Sequence, residues 1–468
     1  MMKQINTKLA ILILLLFPFL TNAQGGKMTT TLKGELANAQ KDFFLLKHQG
    51  RADTVRFGKD GKFEVLIEQN TGNYFMLEHG RQALEIYLLP ADEFSISLNA
   101  TNFTDAKNLT GASAPYCQYL LNKQKDDKTD NFKLQPFKTG VLDPSILYAK
   151  RDSIRMARIA LLTKASSDQK FIKAFTTFEQ KSFDYQMGLE LINYKNNATK
   201  NGVTNFPENF TQFTSKLNLD DEEMAFNHYF RQFALNEISE KALTKYYEGT
   251  DKQVIRYFEF FLDVICDKIK SEKVKSILIS DMMPQVAKDA GVADMRPFVS
   301  KLEKCSSDQK LIASVKKLAD QNLAIYPGQP APNAAFYDAN GNKSKISDYK
   351  GKVLYIDTWA TWCGPCKREI PHLKKLEEEF HGKNVVFISV STDKDINAWK
   401  SFIAKEQMGG LQLHQSDNFE ETISKLYLVN SIPRFIIIDE AGKIVSADGP
   451  RPSSGEEIRI LLNGLLAD

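Results

Sequence analysis

The C-terminal part of this chain contains the stretch Trp359-Ala360-Thr361-Trp362-Cys363-Gly364-Pro365-Cys366-Lys367. An apolar segment at 353–358 precedes it and predicts a buried strand, and residues 365–380 have the periodicity of a helix. The two cysteines therefore lie where a strand ends and a helix begins. The first N–H groups of a helix are unpaired and carry partial positive charge, so we expect the pKa of Cys363 to fall below the free value of about 8.5.

This spacing favours thiol–disulfide exchange. Two intervening residues allow Cys366 to close a disulfide with Cys363, and a thiolate is the nucleophile of the exchange. A zinc site needs a second pair of ligands, whereas the other cysteines of the chain are isolated. Haem attachment needs a histidine after the second cysteine, and position 367 is a lysine. A purely structural disulfide would not need the strand–turn–helix context. The sequence therefore predicts a redox-active pair that uses no metal and no cofactor.

Residues from about 327 to 468 resemble the thioredoxin superfamily. They are most similar to its exported branch, the thiol–disulfide interchange proteins of the cytochrome-maturation type. The Trp-Cys-Gly-Pro-Cys run carries the resemblance, together with Gly328-Gln329-Pro330-Ala331-Pro332 and Lys350-Gly351-Lys352-Val353-Leu354. The resemblance implies a C-terminal α/β thioredoxin-like domain with disulfide reductase activity.

The same resemblance implies where a substrate binds and which residues support the cysteines. Ile432-Pro433 matches the cis-proline of the family, which faces the cysteine pair and positions the backbone of the substrate. The substrate-binding residues implied in this way are Trp362, Gly364, Pro365, Ile432 and Pro433.

Two carboxylates complete the implied catalytic set. Asp357 lies in the apolar strand, where burial raises the pKa of a carboxyl and suits a proton acceptor for Cys366. The alternative is a strand-end aspartate that faces solvent. Glu369 lies one helical turn after Cys366, where the exported branch carries a glutamate that tunes the cysteines. The alternative is a solvated glutamate on a helix surface.

Thiol peroxidases share the thioredoxin-like fold and are the nearest enzymatic alternative. Their peroxidatic cysteine follows a threonine or serine by three residues and a proline by seven. The corresponding positions here are Ala360 and Ile356, so the pattern disfavours a peroxidase. The Gly364-Pro365 dipeptide resembles that of reducing thioredoxins. We therefore expect a reductant of disulfides in exported proteins, which is itself reduced by a membrane electron donor.

The first residues predict a signal peptide at 1–23. Lys3 and Lys8 precede an apolar run at 9–20, and Thr21-Asn22-Ala23 places small residues before a cleavage site. The alternative is a membrane anchor, but a span needs about 20 apolar residues. The sequence therefore predicts an exported, periplasmic protein that is soluble after cleavage.

Length and composition predict a multidomain globular protein. The chain has 468 residues, of which 43% are hydrophobic and 25% charged, and its net charge is only +3. So small a charge gives no reason to expect a nucleic-acid partner. The oligomeric state is left open by the sequence.

Three domains are predicted after the signal peptide. Alternating strands and turns at 24–110 indicate an antiparallel β-sandwich. Asp53-Thr54-Val55 and Asp60-Gly61-Lys62-Phe63 resemble the small β domain that precedes such modules in exported proteins of the Bacteroidetes. Helical periodicity predicts an all-α domain at 111–325, and strands interleaved with helices predict the α/β domain at 326–468. A second hypothesis follows, in which these leading domains bind a partner and the redox module is auxiliary.

Three cysteines lie outside the pair, and we expect buried thiols at Cys117, Cys266 and Cys305. A disulfide between Cys117 and Cys305 is the alternative.

Overall fold

The computed structural model describes residues 12–14, 28–127, 143–251, 253–289 and 293–467. The predicted cleavage site at 21–23 lies outside these residues. The chain divides into two compact units, Met1–Asn236 and Glu237–Asp468. The limits predicted for the domains remain predictions, because one compact unit can contain more than one domain. None of the helices in the described ranges is long and apolar enough to cross a bilayer.

The first unit begins with two packed β-sheets. In chain order the strands are β1 (Leu12–Leu14), β2 (Met28–Ala37), β3 (Phe43–His48), β4 (Arg51–Arg56), β5 (Lys62–Gln69), β6 (Asn73–His79), β7 (Gln82–Leu88), β8 (Glu93–Asn99) and β9 (Lys107–Thr110). Across the described residues, one sheet has the order β1-β5-β2-β8-β9 and the other β4-β3-β6-β7. Alternate residues of both sheets, among them Leu32, Val65 and Ile86, are buried in one shared core. The predicted sandwich is therefore confirmed.

One pairing in this sandwich differs from the expected antiparallel pattern. β2 and β8 pair in parallel, with Leu32 opposite Phe94. Alternation of apolar and polar residues reports which face of a strand is buried and carries no information on the direction of pairing. β1 also pairs in parallel with β5, and it lies inside the predicted signal peptide. Cleavage after residue 23 would remove β1 and leave β5 as an edge strand of its sheet.

Helices follow the sandwich, as predicted. They are α1 (Ala114–Asp126), α2 (Pro144–Gln169), α3 (Lys173–Lys200), α4 (Glu208–Ser215), α5 (His228–Glu248), α6 (Val254–Lys268), α7 (Glu272–Asp289), α8 (Arg296–Cys305) and α9 (Gln309–Ala324). The limit between the two compact units falls within α5. The first unit therefore contains the sandwich with α1–α4, and the second contains α6–α9 with the C-terminal domain.

The cysteines of the helical region differ from the prediction in part. Cys266 and Cys305 form a disulfide that joins α6 to α8, so the expectation of buried thiols was wrong for both. Helix packing brings together two residues that are 39 positions apart, and no local spacing signals such a pair. Cys117 is a buried free thiol, as expected, and burial raises its pKa to about 12. The alternative of a Cys117–Cys305 disulfide is wrong.

The C-terminal domain is a mixed sheet covered by helices. Its elements are β10 (Ala335–Tyr337), β11 (Lys343–Lys345), β12 (Val353–Trp359), α10 (Gly364–Glu379), β13 (Val385–Ser391), α11 (Ile396–Glu406), β14 (Leu411–Gln415), α12 (Ile423–Leu426), β15 (Arg434–Ile438), β16 (Ile444–Ser446) and α13 (Glu456–Leu465). Within the described residues the order is β11-β10-β14-β13-β12-β15-β16. β13 is parallel to β12 and β14, and β15 is antiparallel to β12. The predicted α/β class is confirmed.

β12 is an interior strand of this sheet, and both of its faces are apolar. Leu354 and Ile356 pack into the core on one face, and Val353 and Tyr355 pack into the core on the other. Every residue of the strand is buried, which is typical of a strand that is covered on both sides. Because β12 is held on both faces, the segment at 360–363 that follows its carboxyl end begins from a fixed position.

The helix α12 is short, and a 3-10 turn at Phe419–Glu421 precedes it. Thr422 separates the two because its backbone is extended and its hydroxyl accepts a hydrogen bond from the Lys425 N–H, which caps α12.

We expect the Cys266–Cys305 disulfide to stabilise the second unit. A cross-link that closes a loop of about 40 residues restricts the unfolded chain and is worth roughly 2–4 kcal/mol. Replacing both cysteines by alanine should lower the free energy of unfolding by that amount, measured by urea unfolding without reductant. Cys117→Ala is the matched control for removing a thiol. An unchanged urea midpoint in the double variant would show that the cross-link does not stabilise the fold.

Candidate active site

Cys363 and Cys366 form a disulfide at the point where β12 passes into α10. Cys363 is the N-cap residue of α10, with an extended backbone, and its Sγ atom lies 3.2 Å from the N–H of Cys366. Pro365 occupies the first turn, where its missing N–H leaves no bond unmade. The sulfur of Cys363 thus lies at the positive end of the helix dipole, as the sequence predicted.

Access to the sulfur atoms is narrow. Both cysteines are almost fully buried, whereas Trp362 is 70% exposed and Pro365 is exposed beside them. Gly364 is half-buried between these two exposed side chains. A disulfide can therefore reach Cys363 only if its flanking chain fits against this rim.

The loop before β15 forms the facing side of the site. The Ile432–Pro433 peptide bond is cis. The Ile432 carbonyl oxygen lies 3.8 Å from Cys363 Sγ, and the Ile432 side chain packs against the apolar cluster around the cysteines. The structure thus brings Ile432 and Pro433 to the cysteine pair.

An apolar cluster surrounds the disulfide from behind. Trp359, Ala360 and Trp399 are buried in one apolar cluster with the two cysteines. Water is excluded there, so charges and hydrogen bonds that develop on the sulfur atoms are screened less than at an open surface. Apolar burial alone disfavours a thiolate, and the same low dielectric strengthens the attraction of the helix N-terminus that opposes this cost.

Asp357 is buried on the sheet face that α10 covers. Asp357 lies two positions after Tyr355 on β12, so the two side chains share one face of the sheet. Tyr355 packs in the core of that face with side chains of α10. Burial, with a smaller contribution from the charge of Glu377 on α10, raises the pKa of Asp357 to about 7 against the opposing effect of a 2.5 Å hydrogen bond from the Ser389 hydroxyl. A carboxyl with this pKa can exchange its proton near neutral pH.

Glu369 is also buried, one turn after Cys366 on α10. In the described residues its carboxylate accepts hydrogen bonds from the Ser453 N–H at 3.1 Å and the Ser453 hydroxyl at 2.9 Å. Arg451 lies 4.0 Å from the same carboxylate. Glu369 is thus held by the turn before α13, and these hydrogen bonds fix its position beneath the first turns of α10.

One buried acid near the site was missed by the sequence analysis. The carboxylate of Asp393, just after β13, accepts hydrogen bonds from the N–H and the hydroxyl of Thr361. Ser391-Thr392-Asp393 is a polar run at the carboxyl end of a parallel strand next to β12, and that end of a sheet is where functional groups gather. This position was the signal that could have identified it.

The side chains do not form a metal site in the part of the chain that the structure describes. No group of three or more His, Cys, Asp or Glu residues there could hold a metal ion.

Comparisons with known proteins concern the C-terminal domain. Residues 326–458 match the Redoxin family. Thiol-disulfide oxidoreductase ResA from Bacillus thuringiensis strain Al Hakam is 31% identical over 139 residues, which are 30% of this chain and 76% of that protein. The same-named protein of Bacillus subtilis strain 168 is 29% identical over 122 residues, 26% of this chain and 66% of that one. The solved thioredoxin domain of a thiol-disulfide oxidoreductase from Bacteroides vulgatus is 28% identical, covering 30% of this chain and 97% of that domain with a TM-score of 0.28.

We predict that Asp357→Asn stabilises the protein in a pH-dependent way. The Asp357 carboxyl ionises less readily when folded, with a pKa of about 7 against 3.8 for an ordinary aspartate. Ionisation therefore favours unfolding, and stability is lost as the pH rises from about 4 through 7. The gain in the free energy of unfolding from the variant should grow by roughly 2–3 kcal/mol between pH 5 and pH 8.

Urea unfolding of the oxidised protein at the two pH values measures this difference. Asp417→Asn, at an exposed carboxyl, controls for the loss of a charge. A gain that is the same at both pH values would contradict the raised pKa of Asp357.

Proposed function

Through its C-terminal thioredoxin-like domain this chain belongs to the family of thiol-disulfide oxidoreductases, and on that basis we propose that it reduces disulfide bonds of exported proteins. The observation that carries the proposal is the Cys363–Cys366 disulfide at the start of α10, with the sulfur of Cys363 3.2 Å from the Cys366 N–H. A lowered thiol pKa at that position gives a nucleophile that is ionised near neutral pH.

The proposed reaction has two steps. The Cys363 thiolate attacks one sulfur of the substrate disulfide, and the other substrate sulfur leaves as a thiolate. Cys366 then loses its proton and attacks Cys363 Sγ, which releases the second substrate sulfur and leaves the Cys363–Cys366 disulfide. Two electrons pass to the substrate. We assign the acceptance of the Cys366 proton to Asp357, whose pKa of about 7 suits this role.

The remaining residues of the site have supporting roles in this proposal. Trp362, Gly364 and Pro365 form the rim against which the substrate chain lies, and Ile432 and Pro433 pair with its backbone. Supporting observations are the 70% exposure of Trp362 and the closeness of the Ile432 carbonyl to Cys363. Glu369, which is held by Ser453, tunes the cysteine pair from within α10.

The proposed compartment is the periplasm, with a membrane electron donor that restores the dithiol. The predicted signal peptide at 1–23 supports export. A further support is the Cys266–Cys305 disulfide, because disulfides persist in oxidising compartments and are rare in the cytosol.

A binding role for the first unit is the second candidate function. An observation that favours it is a cavity of about 420 Å³ in that unit, lined among others by Tyr119, Lys123 and Arg158. In that case the leading domains would hold a partner, and the redox module would be auxiliary.

The direction of electron flow is predicted from Gly364-Pro365. We expect a reduction potential near thioredoxin's value of about −270 mV, and the reduced protein should therefore reduce insulin. Equilibration with glutathione buffers of known ratio measures the potential. A value near the strongly oxidising level of about −120 mV would reverse the proposed direction.

Two cysteine variants test the roles of the pair. Cys363→Ser should lose insulin reduction completely, because the attacking sulfur is gone. Cys366→Ala should accumulate mixed disulfides through Cys363 in cells, since the resolving step is absent, and mass spectrometry identifies the trapped proteins. The absence of trapped proteins would argue against protein substrates. A Cys363→Ser strain with an intact phenotype would favour the binding role.

A further inference from the structure

A buried hydrogen-bond network joins the segment before Cys363 to the turn after β13. Asp393 lies in that turn and is buried, with 4% of the residue exposed. Its Oδ2 atom accepts a hydrogen bond from the Thr361 N–H at 2.9 Å, and its Oδ1 atom accepts one from the Thr361 hydroxyl at 2.8 Å. One carboxylate thus accepts hydrogen bonds from both donor groups of Thr361, which lies two positions before Cys363.

Asp393 is itself held from two other sides. The Ser391 hydroxyl donates to its Oδ2 atom at 2.8 Å, and the Asp393 N–H donates to Ser391 Oγ at 3.0 Å. Nε2 of the buried His414, on β14, lies 2.7 Å from the Asp393 carbonyl oxygen. The carboxylate therefore has a fixed position relative to the sheet, and it can act as an anchor for a neighbouring loop.

Other bonds tie the same loop to the same turn. The N–H of Thr392 donates to the carbonyl oxygen of Trp359 at 2.8 Å, and the Thr392 hydroxyl lies 3.2 Å from that oxygen. The Cys363 N–H donates to the Ala360 carbonyl oxygen at 3.0 Å, which closes the loop onto the start of α10. The backbone from Trp359 to Cys363 is thus held at both ends, and Asp393 holds its middle.

We propose that Asp393 is a positioning residue for the thiol–disulfide exchange and acts through Thr361 to hold Cys363 at the N-terminus of α10. This inference rests on the proposed function of the cysteine pair. Sγ of Cys363 must lie against the Cys366 N–H and must also face the Ile432 segment, where the substrate arrives. A reacting atom displaced by about 1 Å can lose as much as 100-fold in rate, so a fixed approach to α10 matters for the chemistry.

A carboxylate suits this position because of the number of donors around it. The Thr361 N–H, the Thr361 hydroxyl and the Ser391 hydroxyl all point at its two oxygen atoms. If the carboxylate is removed, the backbone N–H of Thr361 loses its acceptor and the loop must move to find another. Asparagine with its oxygen at the Oδ2 position keeps the acceptor for that N–H and for the Ser391 hydroxyl, and the Thr361 hydroxyl can rotate to accept from its amide NH2. It therefore preserves the anchor without the charge.

The test compares four variants of the full chain. Asp393→Ala removes the anchor, Asp393→Asn keeps its hydrogen bonds, and Thr361→Val removes only the hydroxyl with little change of shape. Asp395→Ala is the matched control, because Asp395 lies two residues further on and caps α11 with bonds to the N–H groups of Asn397 and Ala398. The control loses a cap in the same turn and leaves the loop before Cys363 untouched.

Two readouts are measured beside thermal stability. The first is the rate at which the reduced protein reacts with 5,5′-dithiobis(2-nitrobenzoic acid), and the second is the equilibrium constant of its disulfide with glutathione. We expect Asp393→Ala to slow the reaction at least tenfold and Thr361→Val about threefold. Asp393→Asn and Asp395→Ala should stay within about twofold of the parent. The equilibrium constant should change at least threefold in Asp393→Ala and in none of the other variants. A tenfold change in this constant corresponds to a shift of about 30 mV in reduction potential.

The outcomes separate this inference from the proposed function. If the parent protein does not exchange disulfides at all, the proposed function fails. If the parent is active and Asp393→Ala reacts as fast as the parent, or no slower than Asp395→Ala, the positioning role is wrong. If Asp393→Asn reacts as slowly as Asp393→Ala, the hydrogen-bond explanation is wrong. Should Asp393→Ala not fold, an unchanged rate in Thr361→Val would overturn the inference.

Discussion

The contact between Cys363 Sγ and the Cys366 N–H at 3.2 Å is the interaction on which the account of this protein depends. It exists because only four residues separate the end of β12 from the start of α10 and the last of them is Cys363, so a sulfur atom replaces an oxygen as the helix cap. The N–H groups and the dipole of α10 both favour negative charge on that sulfur. The apolar cluster and the Ile432 segment lie against a sulfur whose position is defined by the start of the helix.

The same electrostatics predict different reactivities for the two disulfides, because they lie at opposite kinds of helix end. Cys363 caps the N-terminus of α10, whereas Cys266 lies in the last turn of α6 and Cys305 is the last residue of α8. Partial negative charge at a helix C-terminus disfavours a thiolate there. A disulfide with poor thiolate leaving groups exchanges slowly. The pair at α10 is therefore built for exchange, and the pair between α6 and α8 suits a lasting cross-link.

Local patterns in the sequence were sufficient to predict the architecture around the cysteines. The apolar run of β12, the Cys-Gly-Pro-Cys spacing and the alternation in the sandwich each depend on neighbours in sequence. Burial of Asp357 followed from its place in an apolar strand, and the structure agrees. What could not be predicted depends on long-range packing. The Cys266–Cys305 disulfide, the parallel β2–β8 pair and the bonds of Asp393 to Thr361 join residues more than 30 positions apart. No periodicity connects such residues.

The pKa of Cys363 in the reduced protein measures most directly whether the start of α10 stabilises negative charge on the sulfur atom. The rate of alkylation by iodoacetamide as a function of pH reports that pKa, with Cys366→Ala used so that a single thiol of the pair reacts. We expect a pKa clearly below the free-cysteine value of about 8.5. A pKa at or above that value would show that the start of α10 does not stabilise the thiolate.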